Sequence, residues 1–330
     1  MNNLYITQSG KLKRKDNTLL FQNNKIRKVI PIQGIETIYA LGEIDINTKL
    51  LVFLQQNKIT LHFFNYYGFY SGSFYPRESY ISGSLYIKQV EHFTDYEKRL
   101  TLARKFVSGI AQNLRYLLRH YSKHGIDIAG KMRRIQNYSN KLNMAKTIKE
   151  ILQIEGAIWD IFYSSFLKIL NDSFKFTRRI KRPPDNPINA MISFGNSMLY
   201  TRVLSSIYFT QLNPTISYLH EPFERRFSLS LDLSEVFKPS LVFQIIFKLV
   251  NMRMITLKNF SKKLNYCYLN EEGRRIFVKE FDNKLRKSKK HPLLKRSISN
   301  KTLIKLECYK IIKHLLAEKD YLPFNIGNGY

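Results

Sequence analysis

The sequence predicts an α+β multidomain chain: an N-terminal antiparallel β-sandwich over residues 1–90, then a mainly α-helical domain over 96–330. Two observations carry that expectation. The first ninety residues hold short runs rich in Val, Ile, Thr and aromatics, divided by Gly, Asn, Asp and Lys clusters. From Tyr96 onward the apolar residues change to a three- and four-residue recurrence.

The strands expected are LYITQ, KVIPI, ETIYAL, TKLLVFL and KITLHFF. Their close spacing leaves no room for helices between them, which predicts antiparallel sheets packed as a small sandwich. Lys88 to Asp95 reads as the link to the second domain. There, Leu100, Ala103, Val107, Ile110, Leu114 and Leu117 form one apolar stripe, while Arg104, Lys105, Arg115 and Arg119 take other faces. A second helix is expected from Lys146 to about Leu170 and a third, after the break at Pro183, Pro184 and Pro187, from Ile188 to about Gln211. Another begins near Pro239, and a last one covers Lys301 to Ala317.

Charge says most about partners. Lys and Arg number 54 against 25 Asp and Glu, a net charge of +29. A compact body with that excess repels itself unless it meets a polyanion, and nucleic acid gains further from counterion release. Cys267 and Cys308 are too few for a disulfide scaffold or a cysteine zinc site and fit reduced thiols in a cytosol. MNNLYITQSG lacks the pattern of a signal peptide, and the apolar run from Ser240 to Val250 is interrupted by Gln244 and Lys248. A soluble cytoplasmic protein with no membrane partner is expected.

Three stretches could carry chemistry. In LHEPFERRFSLSLDLSEVFKP (219–239), His220 precedes Asp232 and Glu235, which share one face if Asp232 starts a helix. An imidazole beside two carboxylates suits Mn²⁺ well and Mg²⁺ acceptably, although a lone His before scattered acids is more often structural. In QIEGAIW (153–159), Glu155 lies among Ile151, Ile154, Ile158, Trp159 and Phe162. A carboxylate there must be paired, protonated or metal-bound, and an arginine partner would serve as well as an ion. The acid-free stretch Lys284, Arg286, Lys287, Lys289, Lys290, Lys295 and Arg296 is either a solvated loop or an arm contacting phosphates. The ring-rich FFNYYGFYSGSFYPRE fits a core or an interface better than a base-stacking platform.

Several of these segments, taken in order, resemble the CRISPR-associated Cas1 integrases, and most closely the form found in subtype I-B systems. LYITQSGKLKRKDNTLLF, INTKLLVFLQQNKITLHFFNYYGFYSGSFYPRE (46–78), EGAIW, RPPDNPINAMISFGNSMLY (182–200), LHEPFERRFSLSLDLSEVFKP and ECYKIIKHLLAEKDYLPF carry the resemblance, nearly end to end. It implies a homodimer of β-sandwich and helical catalytic domains, with a small partner, Cas2. It implies a Mg²⁺ or Mn²⁺ ion held by Glu155, His220 and Glu235, with Asp232 in or beside the metal shell and Asn189 behind it. Many relatives carry Gly at the position of Arg225 and Arg at that of Lys238. The activity implied is insertion of prespacer DNA into a CRISPR repeat by 3′-hydroxyl attack on a phosphodiester, with associated endonuclease activity. Double-stranded DNA would then meet Arg178, Arg179, Lys181, Arg182, Arg225, Arg226, Lys287, Lys289 and Lys290. The alternatives are a non-catalytic basic nucleic-acid-binding protein and a nuclease that joins nothing.

Overall fold

The computed structural model describes residues 2–77, 80–170, 173–181, 183–223 and 227–327. Its strand-rich unit runs β1 (Asn2–Ile6), β2 (Gly10–Lys15), β3 (Thr18–Gln22), β4 (Arg27–Pro31), β5 (Ile35–Ala40), β6 (Ile44–Asp45), α1 (Thr48–Gln56), β7 (Thr60–Phe64) and β8 (Tyr70–Phe74). Two four-stranded sheets form, in the orders β1-β5-β7-β8 and β4-β3-β2-β6. They share a core of Leu12, Leu19, Phe21, Ile38, Phe53 and Leu61.

Strand-rich then helical order is as expected, but purely antiparallel pairing is not. β1 pairs with β5, β5 with β7 and β2 with β6 in parallel. For β5 and β7 the cause is TKLLVFL, expected as a strand and found as the helix α1. Asn47 caps it by accepting from the Leu50 amide at 3.0 Å. Leu50, Phe53 and Leu54 fall at three- and four-residue spacing and bury together. A helix there gives the crossover that a parallel β5–β7 pair requires.

The helical unit begins earlier than expected. The proposed link is α2 (Gly83–Thr94), whose Leu85 joins the main core, and it is followed at once by α3 (Tyr96–Lys123). Then come α4 (Ala129–Asn140), α5 (Ile148–Tyr163), α6 (Phe166–Ile169), α7 (Pro187–Tyr208), α8 (Ser228–Lys238) and α9 (Gln244–Asn251). A hairpin of β9 (Phe260–Lys263) and β10 (Tyr266–Leu269) leads to α10 (Glu271–Arg286), a second hairpin of β11 (Ser288–Lys290) and β12 (Ser297–Ser299), and α11 (Asn300–Leu315). The long helix expected to Leu170 ends at Tyr163, and α6 continues it after a turn. Asp232 lies inside α8, not at its start, and Pro239 opens a single π-helical turn (Pro239–Phe243) between α8 and α9.

Buried polar ties join the two units. Arg202 of α7, 2% exposed, donates to Glu36 of β5 at 3.0 Å, and Lys301 of α11 reaches the same carboxylate at 2.8 Å. His62 of β7 is fully buried between Ser73 and Ser205, each 2.6 Å from a ring nitrogen. Burial first, then the charge of Arg202, pulls its pKa down to about 3, so the ring stays neutral. Phe64, Tyr70 and Tyr75 of the ring-rich segment pack inward, with Tyr70 against Tyr200 and Tyr75 stacked on Tyr208. Among the described residues no helix is long and apolar enough to cross a membrane.

Candidate active site

Glu155 is brought to the site by α5. Thr147 caps that helix, and Ile148, Ile151, Ile158, Ile161 and Phe162 bury its apolar face. Burying Phe162 alone is worth about 1.5–3 kcal/mol, which anchors the helix face. Glu155 shares this face and is 9% exposed. Trp159, one turn on, donates from its indole to Glu155 Oε1 at 3.2 Å. The π-helical turn matters here, because it sets Phe243 against both Trp159 and Phe162, with centroids 5.6 and 4.8 Å apart.

His220 sits in the loop before α8, and Asp232 holds that loop. The Asp232 carboxylate is fully buried and accepts from the backbone amides of Tyr218, Leu219 and His220 at 2.8–3.0 Å. It also meets His220 Nδ1 at 2.8 Å. Arg99 of α3 clasps the loop from the other side, donating to the Tyr218 carbonyl at 3.1 Å and to Glu221 at 2.6 Å. With Nδ1 engaged by Asp232, Nε2 is the ring nitrogen left for a ligand or a proton. Burial pulls the His220 pKa down, but the hydrogen bond and charge of Asp232, with Glu235 and Glu155 beyond, outweigh it and hold the imidazole above its ordinary value.

Glu235 follows on α8, 8% exposed. Lys238, one turn later, pairs with its Oε1, while Oε2 is buried without a hydrogen-bond partner. Glu155, His220, Glu235 and Lys238 line one cleft of about 930 Å³. Burial, then repulsion from Glu235, pushes the Glu155 pKa up to about 7. A buried carboxylate whose ionisation is opposed, beside a second with an orphaned oxygen, suits a cation chemically, and the Lys238 ammonium already stands on the second. Among the described residues, however, no three His, Cys, Asp or Glu side chains are drawn together closely enough to hold a metal ion.

The remaining sequence-derived positions divide. Arg179 lines the cleft but is braced from behind, donating to Asn189 Oδ1 at 3.1 Å and Ser193 Oγ at 2.9 Å. Asn189 is fully buried, donates to Asp185 and the Arg178 carbonyl, and so supports the 178–179 segment. Lys181 is exposed at the cleft wall, and Arg178 is exposed as well. Arg182, Arg225 and Arg226 lie outside the described residues. Lys287, Lys289 and Lys290 lie on or beside β11, and Lys287 and Lys289 line a different pocket. Sequence reasoning missed Arg99, whose signal was a cation on the apolar side of α3. It also missed the Glu235–Lys238 pair, whose signal was the i,i+3 spacing.

A strand-rich unit joined to a helical unit, with an imidazole and two carboxylates in one cleft of a strongly cationic chain, is the build of a protein that handles polyanions. More specifically, the chain belongs to the Cas1 family: the family model described as CRISPR associated protein Cas1 matches residues 4–283. It is 51% identical over 325 residues to the "CRISPR-associated endonuclease Cas1 3" of Thermodesulfovibrio yellowstonii, covering 98% of this chain and 99% of that one. Among solved structures it is similar to a Cas1 protein from Thermotoga maritima, at 41% identity and TM-score 0.88, covering 97% and 99% of the two chains. A casposase bound to integration product shares the fold at TM-score 0.89 and 22% identity, covering 100% of this chain and 94% of that one.

Proposed function

We propose that this protein is the nuclease and integrase of CRISPR adaptation, which inserts prespacer DNA into a CRISPR repeat. Membership of the Cas1 family and 51% identity to a relative named an endonuclease support the role. The observation that carries the chemistry is the shared cleft of Glu155, His220 and Glu235. Their side chains would hold the divalent ion, the two carboxylates through oxygen and His220 through Nε2. Bound Mg²⁺ or Mn²⁺ supplies Lewis acidity to a phosphoryl oxygen and lowers the pKa of an attacking hydroxyl. Asp232 fixes the tautomer and direction of His220. Lys238, released from Glu235, is placed to meet a phosphate oxygen, and Arg179 and Lys181 to position the backbone without reading its sequence.

In strand transfer a prespacer 3′-oxygen forms a bond to phosphorus as the repeat's own P–O3′ bond breaks. The hydroxyl proton leaves with solvent or through His220, and a new 3′-hydroxyl is freed. Bond number is conserved, so no external energy source is needed. A homodimer would offer one site to each end of the insert, and a Cas2-type partner would complete the assembly. On the segment 46–78 we place the chain nearest the subtype I-B form, and the genes flanking it test that assignment.

The decisive experiment is integration into a repeat-bearing plasmid with partner and Mg²⁺ or Mn²⁺. Glu155→Gln, His220→Ala and Glu235→Gln should each reduce the joined product by at least about a hundredfold, in line with loss of a metal-assisted step. DNA affinity should change less than twofold. The open spacing of the three side chains favours a second reading, a non-catalytic DNA-binding protein. Absence of divalent dependence, with DNA processing unchanged in Glu155→Ala and His220→Ala but abolished by loss of basic residues, would sink the catalytic reading in its favour, and cleavage without a covalently joined strand would leave a nuclease alone.

A further inference from the structure

Beyond the cleft, the ends of two helices and a hairpin converge on a second pocket of about 330 Å³. The last turns of α3 supply Arg119 and Lys123, the last turn of α10 supplies Lys284, and β11 and its approach supply Lys287 and Lys289. Among the described residues no acidic side chain lines it, and none of these five cations has an acidic partner. Elsewhere some less exposed cations do find acids, as in Arg202–Glu36 and Lys310–Glu307.

A helix C-terminus favours cations in its own last turn, which accounts for each helix end separately. It does not account for two ends and a hairpin closing on one concavity, where like charges cost free energy. The cost is visible at Lys284, whose ammonium donates to Gln244 at 2.6 Å. Burial, then the charges of Lys287, Lys289 and Lys248, pulls its pKa down to about 8. Tyr116 adds a partly exposed ring to the wall. The turn between α8 and α9 divides this pocket from the cleft. Phe243 faces Trp159 on one side, and Ser240 and Gln244 line the pocket on the other.

We propose that this pocket binds backbone phosphates of a nucleic-acid strand, a second holding point separate from the catalytic cleft. The inference rests on the DNA-handling function proposed above. Phosphate oxygens would fill the acid-free concavity, satisfy the lysines and release counterions.

The test compares Lys287→Gln/Lys289→Gln, both exposed, with Lys49→Gln/Lys58→Gln, which removes equal charge from α1 and the residues after it. Duplex binding of the full-length protein is measured without divalent ions across a salt series, and melting is followed with and without inorganic pyrophosphate. The pocket variant should bind about tenfold more weakly, with a salt slope reduced by roughly 0.9 for each lost contact, while the control pair loses less than twofold. Equal losses in both pairs would overturn the proposal, as bulk charge would suffice. Unchanged DNA binding with loss of a pyrophosphate-induced melting shift would also overturn it, assigning the pocket to a free phosphate. Failure of the unaltered protein to bind DNA would sink the function itself, a result distinct from either.

Discussion

At the scale of single residues, Glu155 makes the sharpest claim. Its pKa near 7 means that the metal-free protein keeps a stabilising contribution below the ordinary carboxylate range and loses it as pH rises through about 7. Glu155→Gln should therefore melt a few degrees higher than the unaltered protein at pH 8, and the two should converge near pH 4.5. Saturating Mg²⁺ should close the gap by stabilising only the protein that keeps the carboxylate. Equal melting at pH 8 without metal would mean that the carboxylate feels no penalty there. Trp159 is the single tryptophan and donates to Glu155, with the Lys238 ammonium 5.7 Å from its ring. Its emission should shift on metal titration and stay fixed in Glu155→Gln.

At the scale of elements, the loop carrying His220 depends on α8. Asp232→Ala would orphan three backbone amides as well as the imidazole, each buried donor costing about 1–3 kcal/mol. A loss of at least about 3 kcal/mol in denaturant unfolding is expected, and a change under 1 kcal/mol would show that water replaces the carboxylate. α7 allows a cleaner packing test. A Cβ at Gly195 would stand 2.8 Å from both Phe277 and Val242, so Gly195→Ala should cost about 1–3 kcal/mol despite its better helix propensity. α3 was legible from one long apolar stripe, and α7, which is buried on every face, from the proline break before it. α1 was not, because LLVFL satisfies a strand pattern and a helical stripe equally, and only the Asn47 cap separates the two. The candidate triad was legible through resemblance rather than spacing, since Glu155 and His220 lie on separate elements. The work of Asp232 was hidden because its donors are backbone amides, which no side-chain pattern reveals.

At the scale of the molecule, the strand-rich and helical halves meet through the cluster of Arg202, Glu36 and Lys301. Burial would raise the Glu36 pKa, but the two cations outweigh it and hold the carboxyl below its ordinary value. Its contribution to stability is thus present above the unfolded pKa and disappears as pH falls through the folded one. Glu36→Gln should cost about 3–5 kcal/mol, because Arg202 would be left buried without a counter-charge, and a loss under 1 kcal/mol would show that Arg202 finds solvent. A single carboxylate is therefore the keystone between two positive neighbours. Once it takes up a proton, the attraction across the seam is lost and Arg202 and Lys301 are left to repel each other within the helical half, so acid should loosen the N-terminal sheets at that seam first. Limited proteolysis of the N-terminal sheets should then quicken as pH falls while the helical signal persists.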